Sequence, residues 1–162
     1  MKHFQTLFQQ NNSAVIEVDG ITYRRFWPIP VNGTVKFKLR FVHSDSKFLQ
    51  AIVLAFPCEF DGKVSVMDNP ISVKKGAFPR LYFWEDTAPK EFEVEITNFR
   101  GELKVCNGSD PLGTKQFCKH LSEGCAMTVQ RTADQQYCFH CHDHEFDGPC
   151  ENLVFELEIQ KV

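Results

Sequence analysis

The chain has 162 residues, 43% of them hydrophobic, and a formal net charge of −3. That length fits one domain with a buried core, and that composition excludes a disordered chain. The weak negative charge and scattered basic residues exclude a global electrostatic case for nucleic acid, and no apolar run approaches the roughly 18 residues of a membrane span.

The first ten residues have no uninterrupted apolar region and no small-residue cleavage site, so they do not read as a signal peptide. A cytoplasmic location follows, or an extracellular one if the sequence is a mature form. Phe4, Leu7 and Phe8 suggest one short helix, too short to be stable alone. From there the chain reads as strands, and its sixteen phenylalanines favour packed sheets. Ala14–Val18 and Ile21–Trp27 flank Asp19-Gly20, a signal for a tight hairpin turn. Val35, Phe37, Leu39 and Phe41 alternate with Lys36, Lys38 and Arg40, which predicts a strand with one wet face. Phe48–Phe56 is more continuously apolar, as in a central strand buried on both sides. Lys63–Met67, Ile71–Val73 and Leu81–Trp84 are short strands. Phe92, Val94 and Ile96 alternate with Glu91, Glu93 and Glu95. Leu103–Cys106 is expected to end in a turn at Asn107-Gly108.

Residues 107–124 read as irregular, with one helical turn over Gln116–Leu121. Strands resume at Ala126–Gln130, Tyr137–Asp143 and Leu153–Ile159. About ten short strands without helical crossovers predict an all-β fold, a single antiparallel β-sandwich or jelly roll spanning residues 1–162 as one domain.

The densest chemistry lies between Tyr137 and Cys150, which holds three of the six histidines and three of the seven cysteines. Cys138, His140, His142 and His144 recur with period two, so a regular strand puts them on one exposed face, with Phe139 and Cys141 turned to the core. His-x-His on a strand gives two imidazoles to one metal. Glu145, Asp147, His43 and His120 are candidates to complete the set. The alternative is a solvated, histidine-rich face titrating near neutral pH.

Six cysteines, at 106, 118, 125, 138, 141 and 150, fit disulfides, metal ligation or plain thiols, and the sequence leaves the three open. Cys118 with His120, or Cys138 with His140, has the proximity of a nucleophile and its base. Asp143, Glu145, Asp147, Glu151 and Asn152 form an acidic run whose oxygens suit calcium. Tyr82 and Trp84, like Tyr23 and Trp27, could stack on sugar rings or pack in the core.

The C-terminal third also resembles known proteins. Leu103–Asp110, Gly124–Val129, Tyr137–Asp143, Phe146-Asp147-Gly148 and Glu151–Leu157 look like a group of small bacterial β-sandwich proteins with an acidic loop before the last strand, and distantly like calcium-dependent bacterial lectins. Asp147, Glu151 and Asn152 sit at matching places, whereas Gly148-Pro149-Cys150 replaces acidic or aromatic residues. The resemblance implies a sandwich fold and a calcium-ordered binding loop.

The leading expectation is a non-enzymatic binding module for a small molecule or glycan. Its loops would be ordered by a divalent metal, zinc or calcium, with Asp143, Glu151, Asn152, Trp84 and Tyr82 at the ligand. One rival is a cupin-like metal-dependent enzyme using His140, His142 and His144. Another is an interaction domain whose Cys/His cluster is a zinc staple, with Cys118 and Cys138 among the residues whose loss would unfold the C-terminal half.

Overall fold

The computed structural model describes residues 4–73, 79–115, 126–143 and 151–160. Among the described residues one helix, α1 (Phe4–Gln10), precedes eleven strands. These are β1 (Val15–Val18), β2 (Ile21–Arg24), β3 (Trp27–Ser44), β4 (Leu49–Ala55), β5 (Lys63–Val66) and β6 (Asn69–Ile71). They continue as β7 (Arg80–Trp84), β8 (Glu91–Asp110), β9 (Ala126–Ala133), β10 (Gln136–His142) and β11 (Leu153–Gln160). All strand pairs are antiparallel, in the order β1-β2-β9-β10-β11-β3-β8-β4-β7, with the β5–β6 hairpin also hydrogen-bonded to β8. No described helix is long and apolar enough to cross a membrane.

The all-β expectation holds, but β3 and β8 are much longer than the short strands read from sequence. They run side by side from Trp27↔Val105 to Arg40↔Glu91, with a register shift between Gly33 and Val35. Opposite that irregularity Asn98 takes a left-handed φ of 55°, a conformation asparagine tolerates better than most residues. The ribbon folds back on itself there. Its β11-bearing half (Lys36–Ser44) belongs to one layer. The β8 segment that pairs with β4 (Lys104–Asp110) belongs to the other. A single hydrogen-bonded ladder thus supplies both layers of the sandwich.

The core lies between those layers. Phe37, Leu39, Val94, Ile96, Phe139, Phe155 and Leu157 from one layer join Ile52, Leu54, Leu103 and Val105 from the other in one cluster. Phe139 and Phe155, directly opposite each other on β10 and β11, stack with centroids 4.6 Å apart. β4 is buried on both faces from Gln50 to Leu54, as its continuous apolar run predicts. Asp19 and Gly20 both have positive φ, 53° and 79°, the signature of the type I′ hairpin turn that Asp-Gly favours.

The turn expected at Asn107-Gly108 does not form, and β8 continues to Asp110. A Cβ at Gly108 would meet a Val53 methyl at 3.2 Å and the Tyr82 ring at 3.4 Å. This glycine serves close cross-strand packing. Similarly, Trp27 opens β3 and does not close β2. Pro28 and Pro30 lie in the half of β3 that has β8 on one side only. Proline has no N–H to offer a further strand, so this edge is blunted against extension.

The short helix α1 is held by packing. Phe4 and Phe8 bury against Ile16 and Ala126 in a second, smaller cluster on the outer face of the β9 end.

Candidate functional site

Three places carry chemistry. The first is the outer face of β10. Cys138 and His140 are half-buried there, and the Cys138 Sγ lies 3.6 Å from the His140 Nε2. Phe139 and Cys141 point into the core and are fully buried, as the alternation predicts. His142 differs from expectation. It lies under α1, only 3% exposed, with its ring 5.1 Å from that of Phe4. An exposed ladder of imidazoles therefore ends at His140, because the N-terminal helix covers the next position. His43 pairs with Val154, which separates it from His140. His144, Glu145, Asp147, His120, Cys118, Cys125 and Cys150, with the helical turn expected at 116–121, lie outside the described residues. Among the described residues no three His, Cys, Asp or Glu side chains gather as a ready metal site.

Burial pushes the Cys138 thiol above its ordinary pKa, Glu156 adds to the effect, and Arg40 opposes it. A thiol so held is a poor nucleophile at neutral pH, since the thiolate is the reactive form. Around it the outer face is a lattice of charge. Arg40 pairs with Glu156 at 2.8 Å, Lys38 with Glu91 at 2.6 Å and Lys36 with Glu93 at 3.1 Å. A shallow cavity of about 220 Å³ opens among Arg40, Glu91, Gln136, Glu156 and Glu158.

The second place is one end of the sandwich, where the buried polar residues Gln50, Asn107, Ser109, Asp110, His142 and Asp143 lie at the end of β8, the start of β4 and the end of β10. Asn107 Nδ2 donates to the main-chain oxygen of His142 at 2.7 Å. Asn152 Oδ1 accepts from the Asp143 amide at 3.2 Å, and its Nδ2 donates to the Asp45 oxygen at 2.9 Å. Ser46 Oγ donates to the Asp143 carboxylate and accepts from the Phe48 amide. Asp110 accepts from the amides of Thr114 and Lys115, both at 3.1 Å. Asp143 and Asn152, expected at a ligand, do come together here. Their described bonds tie the ends of β3, β10 and β11 to one another. Glu151 is exposed beside them.

Tyr82 and Trp84 are elsewhere. On β7 they oppose Val53 and Ala51, whereas Asn107 opposes Ile52, so the two aromatics lie on the opposite face of their sheet from Asn107. They stack on each other at 5.6 Å and 9°, and Trp84 is 8% exposed.

The third place is one that strand patterning does not single out as a site, although Trp27 is a candidate stacking residue by type. A groove of about 450 Å³ runs between the layers, with Trp27, Pro28, Ile29 and Pro30 on one wall and Gln135, Tyr137 and Ile159 on the other. The rings of Trp27 and Tyr137 meet across it at 5.4 Å and 47°. The Arg24 guanidinium sits 5.0 Å from the Trp27 ring centre. The groove depends on two distant segments meeting at an open margin of the sandwich, a long-range contact that strand alternation does not announce. Comparison with protein-family models, with curated proteins and with solved structures finds no match.

Proposed function

We propose that the protein is a non-enzymatic binding module that holds a small ligand in the inter-layer groove, against Trp27 and Tyr137. The observation that carries this reading is the groove itself, about 450 Å³ with two half-buried aromatics, two prolines and one amide side chain. Ligand sites are typically concave, largely apolar and aromatic, with a few polar groups that fix orientation, at about 300–1,000 Å³. A sugar ring suits it, since its apolar face stacks on an aromatic ring and its hydroxyls bond Gln135 or the Arg24 side chain. In this reading a divalent cation orders the loops at the polar end and takes no part in chemistry.

A glycan array and a thermal-shift screen, each with and without EDTA, test the proposal. Binding should be lost in Trp27→Ala and Tyr137→Ala, while Tyr82→Ala, on a strand that takes no part in the groove, retains it. Absence of any ligand in both screens, or binding indifferent to Trp27, defeats the assignment. An EDTA effect on stability without one on binding would confine the cation to a structural role.

A further inference from the structure

Arg24 stands at the Trp27 end of the groove, and its surroundings set it apart from the paired cations of the surface. Lys36, Lys38, Arg40, Lys115 and Arg131 each hold a carboxylate within 3.1 Å. Arg24 has no carboxylate partner among the described residues. It pairs with Met127, a fully buried core residue, so its side chain starts on the inner face of its layer. There it is half-buried, with the guanidinium 5.0 Å from the Trp27 ring centre. Taking a guanidinium partly out of water without a counter-charge costs free energy, and the negative face of an aromatic ring offsets that only in part. Stacking also leaves the N–H fork of the guanidinium available to a ligand. A partly desolvated cation with its donors in hand is suited to a carboxylate, which meets the planar fork with two parallel hydrogen bonds.

The charge along the groove is uneven. Met127 pairs in turn with Cys141, up β10 from Tyr137, whereas Gln135 lies beyond Tyr137 in the other direction. Arg24 and Gln135 therefore stand at opposite ends, with the rings of Trp27 and Tyr137 between them. At the Gln135 end the neighbouring acid is Asp134, paired with Arg131 at 2.7 Å. An anionic group entering the groove is drawn to the Arg24 end, which leaves the hydroxyl-bearing part of the ligand to the Gln135 amide. We propose that the ligand is an acidic sugar, a pyranose bearing a carboxylate such as a hexuronic acid, with the carboxylate on the Arg24 guanidinium and the ring on the aromatic pair. This assignment narrows the proposed sugar site and rests on it.

The probes are trigalacturonic acid and its methyl ester, which share one ring and differ in charge. They are titrated calorimetrically into the full chain, beside a glycan array carrying neutral, carboxylated and sulfated sugars. Where the array prefers another carboxylated sugar, that sugar and its methyl ester replace the trimer. The acid should bind about tenfold or more tightly than the ester, and raised salt should narrow the difference. Arg24→Gln should lose the preference while still binding the ester, and Arg24→Lys should restore part of it. An arginine with a merely structural role would lower stability and leave the preference unchanged. Circular dichroism checks that each variant is folded, and if Arg24→Gln is not, Arg24→Lys and the wild-type comparison of acid with ester decide. Equal binding of acid and ester, or array hits confined to neutral or sulfated sugars, overturns the acidic-sugar assignment, and the groove survives as a site if that binding still needs Trp27. Binding of no sugar at all overturns both.

Discussion

Asn107 and His142 join the two layers of the sandwich through one hydrogen bond, from the Asn107 side-chain nitrogen to the His142 main-chain oxygen at 2.7 Å. Asn107 is 1% exposed. Asn107→Ala would leave a buried carbonyl without this donor, and should destabilise the protein by about 1–3 kcal/mol. Urea unfolding measures it. Asn107→Leu restores the lost volume but not the bond, so it should remain well below wild type. A Leu variant of wild-type stability would mean that packing alone holds the layers at this point.

Asn152 makes a second tie, to the Asp143 amide and the Asp45 oxygen. Asn152→Ala should cost about 1–2 kcal/mol, less than two fully buried bonds, because one of its bonds is exposed. The sharper readout is hydrogen exchange. The Asp143 amide should lose protection while the amides of Phe139 and Phe155 keep theirs.

Gly108 sits where a Cβ would crowd Val53 and Tyr82. Gly108→Ala forces a Cβ to within 3.2 Å of a Val53 methyl in a buried spot. We expect a loss of about 1–3 kcal/mol from overpacking. Combining it with Val53→Ala should recover some of that loss, since the two changes share one space. Strictly additive losses would show that the strain lies elsewhere.

The charged outer face and the buried Cys106 predict the pH profile. Lys38 lowers the pKa of Glu91, Glu91 raises that of Lys38, and Glu93 raises that of Lys36. A depressed carboxylate adds stability above its unfolded pKa, near 4.3, that is lost as pH falls through its folded value. A raised ammonium adds stability below its unfolded pKa, near 10.4, that is lost as pH rises through its folded value. Burial pushes the Cys106 thiol from 9.0 to about 11. The neutral thiol is the form the fold accepts, so the stability it carries is intact below pH 9 and falls away as pH rises above that value. The thermal midpoint should therefore be flat from about pH 5 to 9 and fall on either side. Salt should flatten the acid limb, where the pairs are exposed and individually small. Cys106→Ala should remove some of the alkaline fall without altering the acid limb.

Much of the layout was legible because alternation reports a half-buried strand directly. Phe37, Leu39, Val94, Ile96, Phe139 and Leu157 all face inward as their spacing requires. What misled was local chemistry that tertiary packing reassigns. Asn107-Gly108 has a turn's composition, yet Asn107 is needed to bond across the layers and Gly108 to admit Val53. His142 has the period of an exposed residue, but a seven-residue helix more than a hundred positions away lies on it. The Cys138–His140 contact was within reach of sequence, since an i, i+2 pair on a strand shares a face. The meeting of Trp27 with Tyr137 was not, because it depends on how the β3–β8 ribbon folds.

That folded ribbon also governs how the molecule comes apart. In a sandwich of two unconnected sheets, the layers meet only through side chains, and water entering between them could peel the sheets away from each other. Here β3 and β8 pass through both layers, which removes such a plane of weakness. Parting the layers means unbending a ribbon whose β3–β8 hydrogen bonds run through both of them. Opening of the central strands should then be all-or-none, with the outlying β1–β2 and β5–β6 hairpins fraying first, which hydrogen exchange would check.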